Sequence, residues 1–267
     1  MEGVQPIHRS EVQLELLEEG NGRVRPFEGK RILILGAASA IAQEVGRIFA
    51  SRKCSIALAG RNRERLEAVA TDLRLRGAQS TVILEADLAD PVGHPNLIES
   101  AARRFAGLDV AVLAYGVLGD QRKAEEDPRA ALEILNTNFT SAVSLITILV
   151  NRFESEGAGH LAVIGSVAGD RGRKSNYVYG ASKGALDIFL QGVRHRVAGK
   201  GIRVVTVKPG PVDTPMTAHM PKTGLFAAAP EVAAGIVRAL EQGKGVVYLP
   251  FHWRLIMGLI SRQWNGK

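Results

Sequence analysis

What constrains this chain most is a repeating order of short apolar runs and amphipathic stretches that begins at Lys30. The run RILILG, ending at Gly36, is rich in Ile and Leu without polar alternation, as a strand covered on both faces requires. AIAQEVGRIFASRK follows with apolar residues at 41, 45, 48 and 49, which is helical spacing. CSIALAG, STVILEADL, LDVAVLAYG, HLAVIGS, GIRVVTVKPG and GVVYL read as further strands. Helices are expected at RERLEAVATDLRLRG, from about 95 to 105, from about 128 to 153, around Tyr179 and Lys183, and near 231 to 242. Seven strands alternating with helices at this length demand right-handed crossovers. The fold class is therefore α/β, a single doubly wound domain whose seven-stranded parallel sheet is flanked by helices.

Composition sets the outer bounds. With 267 residues, 46% hydrophobic and 23% charged, the chain can bury one large core and is not disordered as a whole. A net charge of +7 suits a nucleic acid, an anionic cofactor or a membrane surface. The basic residues are scattered along helices, and no zinc-finger or RNA-binding signature is present, so no nucleic-acid partner is expected. The lone Cys54 can form no intrachain disulfide and reads as a buried strand residue. The histidines show no ligand spacing, and no metal is expected. Residues 1–29 form a polar N-terminal extension, either a disordered tail, an added leader or a short packed helix; the domain runs from 30 to 250, and 251–267 form an amphipathic C-terminal segment. No window holds eighteen uninterrupted apolar residues, so no spanning helix is expected and a cytoplasmic protein is.

The chemistry concentrates in SVAGDRGRKSNYVYGASK, residues 166–183. Tyr179 and Lys183 are four apart and so lie about one turn apart on one helix face. Ser166 ends the strand before them, and the three side chains suit proton transfer to an oxygen. Tyr177, two residues earlier, points elsewhere and is expected to pack. In the first turn, LGAASAIA, Gly36 keeps a glycine while Ala40 and Ala42 stand where later glycines would let a backbone approach a pyrophosphate. Ser39 precedes the helix, whose N-terminus offers free N–H groups and a positive dipole end. Taken alone, the turn reads equally as a tight turn of small residues. After the second strand, Gly60 replaces the carboxylate that would favour a ribose diol, and Arg61 and Arg63 follow. A guanidinium there suits a 2′-phosphate, hence NADP(H) over NAD(H); the alternative is a solvated helix start.

With these elements, Asp87 and PGPVDTP in one chain order, residues 30–250 resemble the short-chain dehydrogenase/reductase family. Within it, AYGVLGD, NTNFTSAVS, NYVYGASKGALD and KPGPVDTPMTAH are most similar to decaprenylphosphoryl keto-pentose reductases. The resemblance implies a Rossmann-type NAD(P)-binding domain, carbonyl reduction, and a homodimer or homotetramer. It implies Tyr179 as general acid, Lys183 as the ribose ligand that lowers the phenol's pKa, Ser166 as the carbonyl-orienting hydroxyl, and Asn138 as holder of a relay water. Cofactor contacts are implied for Gly36, Ser39, Ala40, Ile41, Arg61, Leu88 and Gly116, with Asp87 at the adenine. Pro209, Gly210, Val212 and Thr214 are implied around the nicotinamide, beside Tyr179 and Lys183. The family's asparagines before Gly116 are here Leu113 and Ala114, which are expected to pack instead.

Two segments bear on the substrate. DRGRK, 170–174, could meet a phosphate or be an ordinary solvated loop. FHWRLIMGLISRQW, with Phe251, Trp253, Leu255, Leu259 and Trp264 among arginines, is either an interfacial helix at the inner membrane surface or a helix packed on the domain or a partner subunit. Val212 to Pro230 is expected to be a mobile lid. Together these readings favour an NADPH-dependent carbonyl reductase of a ketone, for which the resemblance implies a lipid-linked keto-sugar as one substrate; the alternatives are a soluble reductase of another ketone, such as an oxoacyl thioester, and a catalytically silent dinucleotide sensor.

Overall fold

The computed structural model describes residues 25–262, with side chains through Ile260. Most of the N-terminal extension, and Trp264 in the C-terminal segment, lie outside the described residues. Seven strands form one parallel sheet: β1 (Arg31–Leu35), β2 (Ser55–Gly60), β3 (Ser80–Glu85), β4 (Val110–Leu113), β5 (Gly159–Ile164), β6 (Ile202–Pro209) and β7 (Val246–Leu249). Their spatial order is β3-β2-β1-β4-β5-β6-β7, so the winding direction reverses between β1 and β4. Ligands of open α/β sheets bind at that reversal, beyond the carboxyl ends of the strands.

The strand sequences lack polar alternation because both faces are covered. Along β1, Ile32 and Ile34 enter one core with Val45, Phe49, Leu66 and Ile236, while Leu33 and Leu35 enter the other with Leu145, Leu149, Phe153 and Leu190. The first core is roofed by α1 (Ala40–Ser51), α2 (Arg63–Leu75) and α8 (Ala229–Gln242), the second by α3 (His94–Phe105), α6 (Ser141–Glu156) and α7 (Tyr177–Val197). Each fully buried Leu or Ile contributes about 1.5–3 kcal/mol, so these two layers dominate stability.

The helix expected over 128–153 is interrupted. α4 (Gln121–Glu126) precedes it unannounced, and α5 (Pro128–Leu135) passes through a π-helical turn, Asn136–Thr140, before α6. Asp120 caps α4, accepting from Arg122 N at 3.0 Å and Lys123 N at 3.3 Å. Asp127 caps α5 with Pro128 at its first position. The extra residue of the π turn rotates Asn138 inward, to 1% exposure. By length and composition alone, Pro128–Glu156 could cross a membrane; here Leu145, Ile146, Leu149, Val150 and Phe153 face the second core instead. Cys54 is buried as expected and donates to Phe27 O at 3.0 Å; burial pushes its thiol up to about 11.

Candidate active site

Tyr179 and Lys183 lie on the first turns of α7, with the Lys183 ammonium 5.9 Å from the Tyr179 ring centroid. Lys183 is 5% exposed and donates to Ile164 O at 3.0 Å, which ties α7 to the carboxyl end of β5. Burial pulls this ammonium down to about 8. Ser166, two residues beyond β5, caps the 3-10 turn Val167–Asp170 by accepting from Ala168 N at 3.1 Å. Burial pushes the Tyr179 phenol up, and a hydrogen bond with Ser166 opposes that rise. Strand end and helix start thus bring Ser166, Tyr179 and Lys183 together. Tyr177, expected to pack, is instead 44% exposed, because the first residue of α7 points away from the sheet.

Asn138 joins this group from the π turn. Its Oδ1 accepts from Val117 N at 2.8 Å, and its Nδ2 donates to Val117 O at 2.8 Å and Ser182 Oγ at 3.1 Å. Both amide protons are therefore committed, and the side chain clamps the loop after β4 to α7. Ser182 is the residue that sequence reasoning missed: it is fully buried and also donates to Tyr179 O at 2.7 Å. Its place between Tyr179 and Lys183 was the available signal. Asn136 is partly buried and donates to Ala89 O at 3.0 Å.

At the switch point the backbone is kept bare. Gly36 has φ +84°, and a Cβ on it would lie 2.6 Å from Tyr115 Cβ. Gly116 has φ +155°, and its Cβ would meet Asn138 Oδ1 at 2.8 Å and Lys183 Nζ at 3.4 Å. Ser39 caps α1, accepting from Ala42 N at 3.3 Å, and the N–H groups of Ala40 and Ile41 begin a helix that cannot satisfy them itself. A tight turn at Gly36 packed against the loop after β4, followed by a helix N-terminus, fits a dinucleotide's pyrophosphate. Leu113 and Ala114 are buried, at 3% and 7%, one in each core, as expected where asparagines are lacking.

The adenosine end of such a ligand would lie over β2 and β3. Arg61, exposed directly after β2, makes no hydrogen bond or ion pair among the described residues, whereas Arg63 is paired with Glu67 at 3.0 Å. Only Arg61 retains an uncommitted guanidinium of the two. Asp87 is exposed, and its Oδ1 accepts from Ala89 N at 3.0 Å; Leu88 is buried, with its carbonyl 3.2 Å from His94 Nε2. On the opposite side, Pro209 ends β6, Gly210 N donates to Leu249 O at 3.0 Å, and Val212 pairs with Ala227 in a short ribbon. Thr214 and Thr217 cap the 3-10 turn Pro215–Thr217 that follows. The Val212–Pro230 segment thus carries local structure of its own, with Met216, Met220 and Leu225 exposed.

The basic loop faces α9 (His252–Arg262). Arg171 donates to Ile260 O at 3.0 Å, Arg173 reaches Met257 Sδ at 3.7 Å, and Asp170 binds Lys208 and Tyr248. Trp253 and Met257 pack on Val167, and the Trp253 indole lies directly against Gly210. Of the two readings of the C-terminal segment, packing on the domain holds for this face. The opposite face leaves Phe251, Leu255 and Leu259 exposed at 64%, 61% and 65%.

A sheet of this order takes its ligand at the reversal between β1 and β4, and a serine, tyrosine and lysine meet beside it, so the architecture is that of a nucleotide-dependent oxidoreductase. Residues 30–224 match the family described as short chain dehydrogenase, and the chain belongs to that family. It is 38% identical over 223 residues to an uncharacterized oxidoreductase of Mycobacterium tuberculosis, covering 84% of this chain and 89% of that one. An uncharacterized oxidoreductase of Streptomyces coelicolor is 33% identical over 234 residues, covering 86% and 91%. Among solved structures, an actinorhodin polyketide ketoreductase variant with NADPH is similar at a TM-score of 0.75 and 21% identity, covering 83% and 96%. The chain is thus an NAD(P)-dependent oxidoreductase of the short-chain family.

Proposed function

We propose that the chain is an NADPH-dependent carbonyl reductase acting on a ketone carried by a lipid, with a polyprenyl-phosphate keto-sugar as the leading substrate class. The observation that carries the reduction is the convergence of Ser166 and Tyr179 beside a fully enclosed Lys183. A bound nicotinamide supplies the hydride. Ser166 holds the substrate oxygen against the Tyr179 hydroxyl, and Tyr179 gives that oxygen its proton. Lys183, with its ammonium 5.9 Å from the Tyr179 ring centroid, stabilises the phenolate that remains. Asn138, with Ser182, holds the first turn of α7 in register with the loop after β4. Gly36, Ser39, Ala40, Ile41 and Gly116 would cradle the pyrophosphate, Asp87 and Leu88 the adenine, and Pro209, Gly210, Val212 and Thr214 the nicotinamide. An intact proton-transfer group speaks against a silent sensor.

The lipid part of the reading rests on α9. Leu255 and Leu259 on its exposed face, with Phe251 just ahead of the helix and His252 and Arg254 also exposed, suit contact with an anionic membrane surface at its cytoplasmic side. The likeness in fold to a polyketide ketoreductase favours a second reading, an oxoacyl thioester as substrate. A panel of three ketones decides between them: a polyprenyl-phosphate keto-pentose, a 3-oxoacyl thioester and a bicyclic ketone, each followed by the loss of NADPH absorbance. Fastest turnover of the first is expected; turnover of the thioester alone overturns the lipid-linked reading.

Arg61 gives the cofactor test. Charge-assisted hydrogen bonds contribute about 1.5–3 kcal/mol, so Arg61→Ala should raise KM for NADPH at least about tenfold and leave that for NADH unchanged. An equal effect on both cofactors removes the 2′-phosphate role. For the membrane, deleting 251–267 is the wrong experiment, since it strips Trp253 and Met257 from Val167. Leu255→Ser with Leu259→Ser spares that buried face. Less than half of this variant should sediment with anionic vesicles under conditions that bring down the parent; equal sedimentation counts against the surface.

A further inference from the structure

Lys208 stands one residue ahead of Pro209 at the end of β6 and is 6% exposed. Its ammonium lies 2.6 Å from Asp170 Oδ1 and 2.8 Å from Asp187 Oδ2. Tyr248, its register partner on β7, donates its hydroxyl to Asp170 Oδ2 at 2.8 Å and sets its ring centroid 5.5 Å from the ammonium. Gln191 Nε2 adds a bond to Asp187 Oδ2 at 3.2 Å. Enclosing three charges costs several kcal/mol per ion in desolvation, so such a cluster is weak evidence of net stabilisation. Its consequence is geometric.

The two carboxylates belong to the two segments that carry the proton-transfer group. Asp170 ends the 3-10 turn that Ser166 begins. Asp187 follows Lys183 by one turn of α7 and Tyr179 by two, on the same helix face. The segments also meet backbone to backbone: a Cβ on Gly169 would lie 2.8 Å from the Lys183 carbonyl carbon. With so close an approach, a small rotation of the turn about that contact changes where the Ser166 hydroxyl points. Lys208 holds the far end of the turn to α7 and joins both to the strand that leads into Pro209 and Gly210.

We propose that Lys208 is a positioning residue of the active site, holding the Ser166 turn to α7 through Asp170 and Asp187 so that Ser166 and Tyr179 address one oxygen. This rests on the reduction proposed above. Misplacement of reacting groups by about 1 Å can cost about a hundredfold in rate. Lys208→Met, assayed well below its melting temperature on the fastest-reduced ketone of the panel, should lower kcat about thirtyfold while the Kd for NADPH stays within twofold. Lys208→Arg, which keeps a cation between both carboxylates, should recover kcat to within about threefold of the parent. Asp187→Asn, which leaves Lys208 paired with Asp170, should lower kcat by about tenfold, and it decides the matter if Lys208→Met does not fold.

A kcat within twofold of the parent in folded Lys208→Met, or in Asp187→Asn, overturns the positioning role. So does a loss of kcat matched by an equal loss of NADPH affinity, or one that Lys208→Arg does not relieve, since a general loosening of the domain does both. Tyr179→Phe run in parallel separates the two levels: if it keeps full turnover, the proposed reduction itself fails, whatever Lys208 does.

Discussion

Tyr179→Phe should reduce ketone turnover by at least about a thousandfold while the chain still binds NADPH within about threefold of the parent affinity. A thousandfold is about 4 kcal/mol of transition-state stabilisation, and the substitution removes one oxygen from a ring whose packing is otherwise retained. The expected size follows from the surroundings. In the proposed reduction the Tyr179 hydroxyl is the acid; Ser166 shares a hydrogen bond with it, and Lys183 stands one turn away with its ammonium directed to Ile164 O. With the phenol gone, none of the remaining groups can deliver a proton to the substrate oxygen from that position. Ser166 would still orient the carbonyl, so substrate KM should change less than kcat.

The same environment sets the sign of the pH dependence. Burial raises the phenol above its ordinary value, so the acid form needed for reduction persists through neutral pH. Lys183, drawn down to about 8 by burial, carries its charge below that pH and loses it above. Reduction should therefore be level through neutral pH and fall above about 8, as the ammonium that stabilises the phenolate is lost. Alcohol oxidation, which starts from the phenolate, should rise with pH before the same loss limits it. A reduction rate that climbs steadily from pH 7 to 9 contradicts both assignments.

The fold was legible in the sequence because its strands are buried on both faces. RILILG and VAVL carry no alternation that could fit any other sheet, and helices between them leave parallel crossovers as the solution. Tyr179 and Lys183 were legible as a pair through spacing, since one helical turn is a fixed distance, and Ser166 through its place at the end of the preceding strand. What escaped was set by contacts between segments distant in the chain. The π turn that carries Asn138 inward has no local signature in NTNFT, and its partners Val117 and Ser182 lie 21 and 44 residues away. The DRGRK loop shows the converse. Its charges fitted either an anion site or a solvated loop, yet Asp170, Arg171 and Arg173 are spent on Lys208, Ile260 and Met257, each more than 30 residues distant. Charge composition reports that such groups need partners and says nothing of which partners the fold supplies.

Gly116→Val should be nearly as damaging as the loss of the phenol, by a different route. The residue has φ +155°, a conformation that strains a β-branched side chain by about 1–3 kcal/mol. Its Cβ would also fall 2.8 Å from Asn138 Oδ1 and 3.4 Å from Lys183 Nζ, so two polar groups must shift at once. Asn138 cannot move without releasing Val117 N and O, which fix the loop after β4 at the point where the sheet reverses. The expected result is a rise of at least about tenfold in the Kd for NADPH and a loss of turnover near a thousandfold, with a melting temperature lowered by several degrees. Gly116→Ala should do less, about tenfold in turnover, because only the Cβ is added. If the collision with Asn138 contributes, Asn138→Ala should lessen the cost of the further Gly116→Ala substitution to that of the φ strain alone, a non-additivity that adjacent groups show and distant ones do not. Additive losses in that pair would mean that Gly116 acts through its backbone conformation alone. Unchanged NADPH affinity in a folded Gly116→Val chain would remove the switch point from the cofactor site.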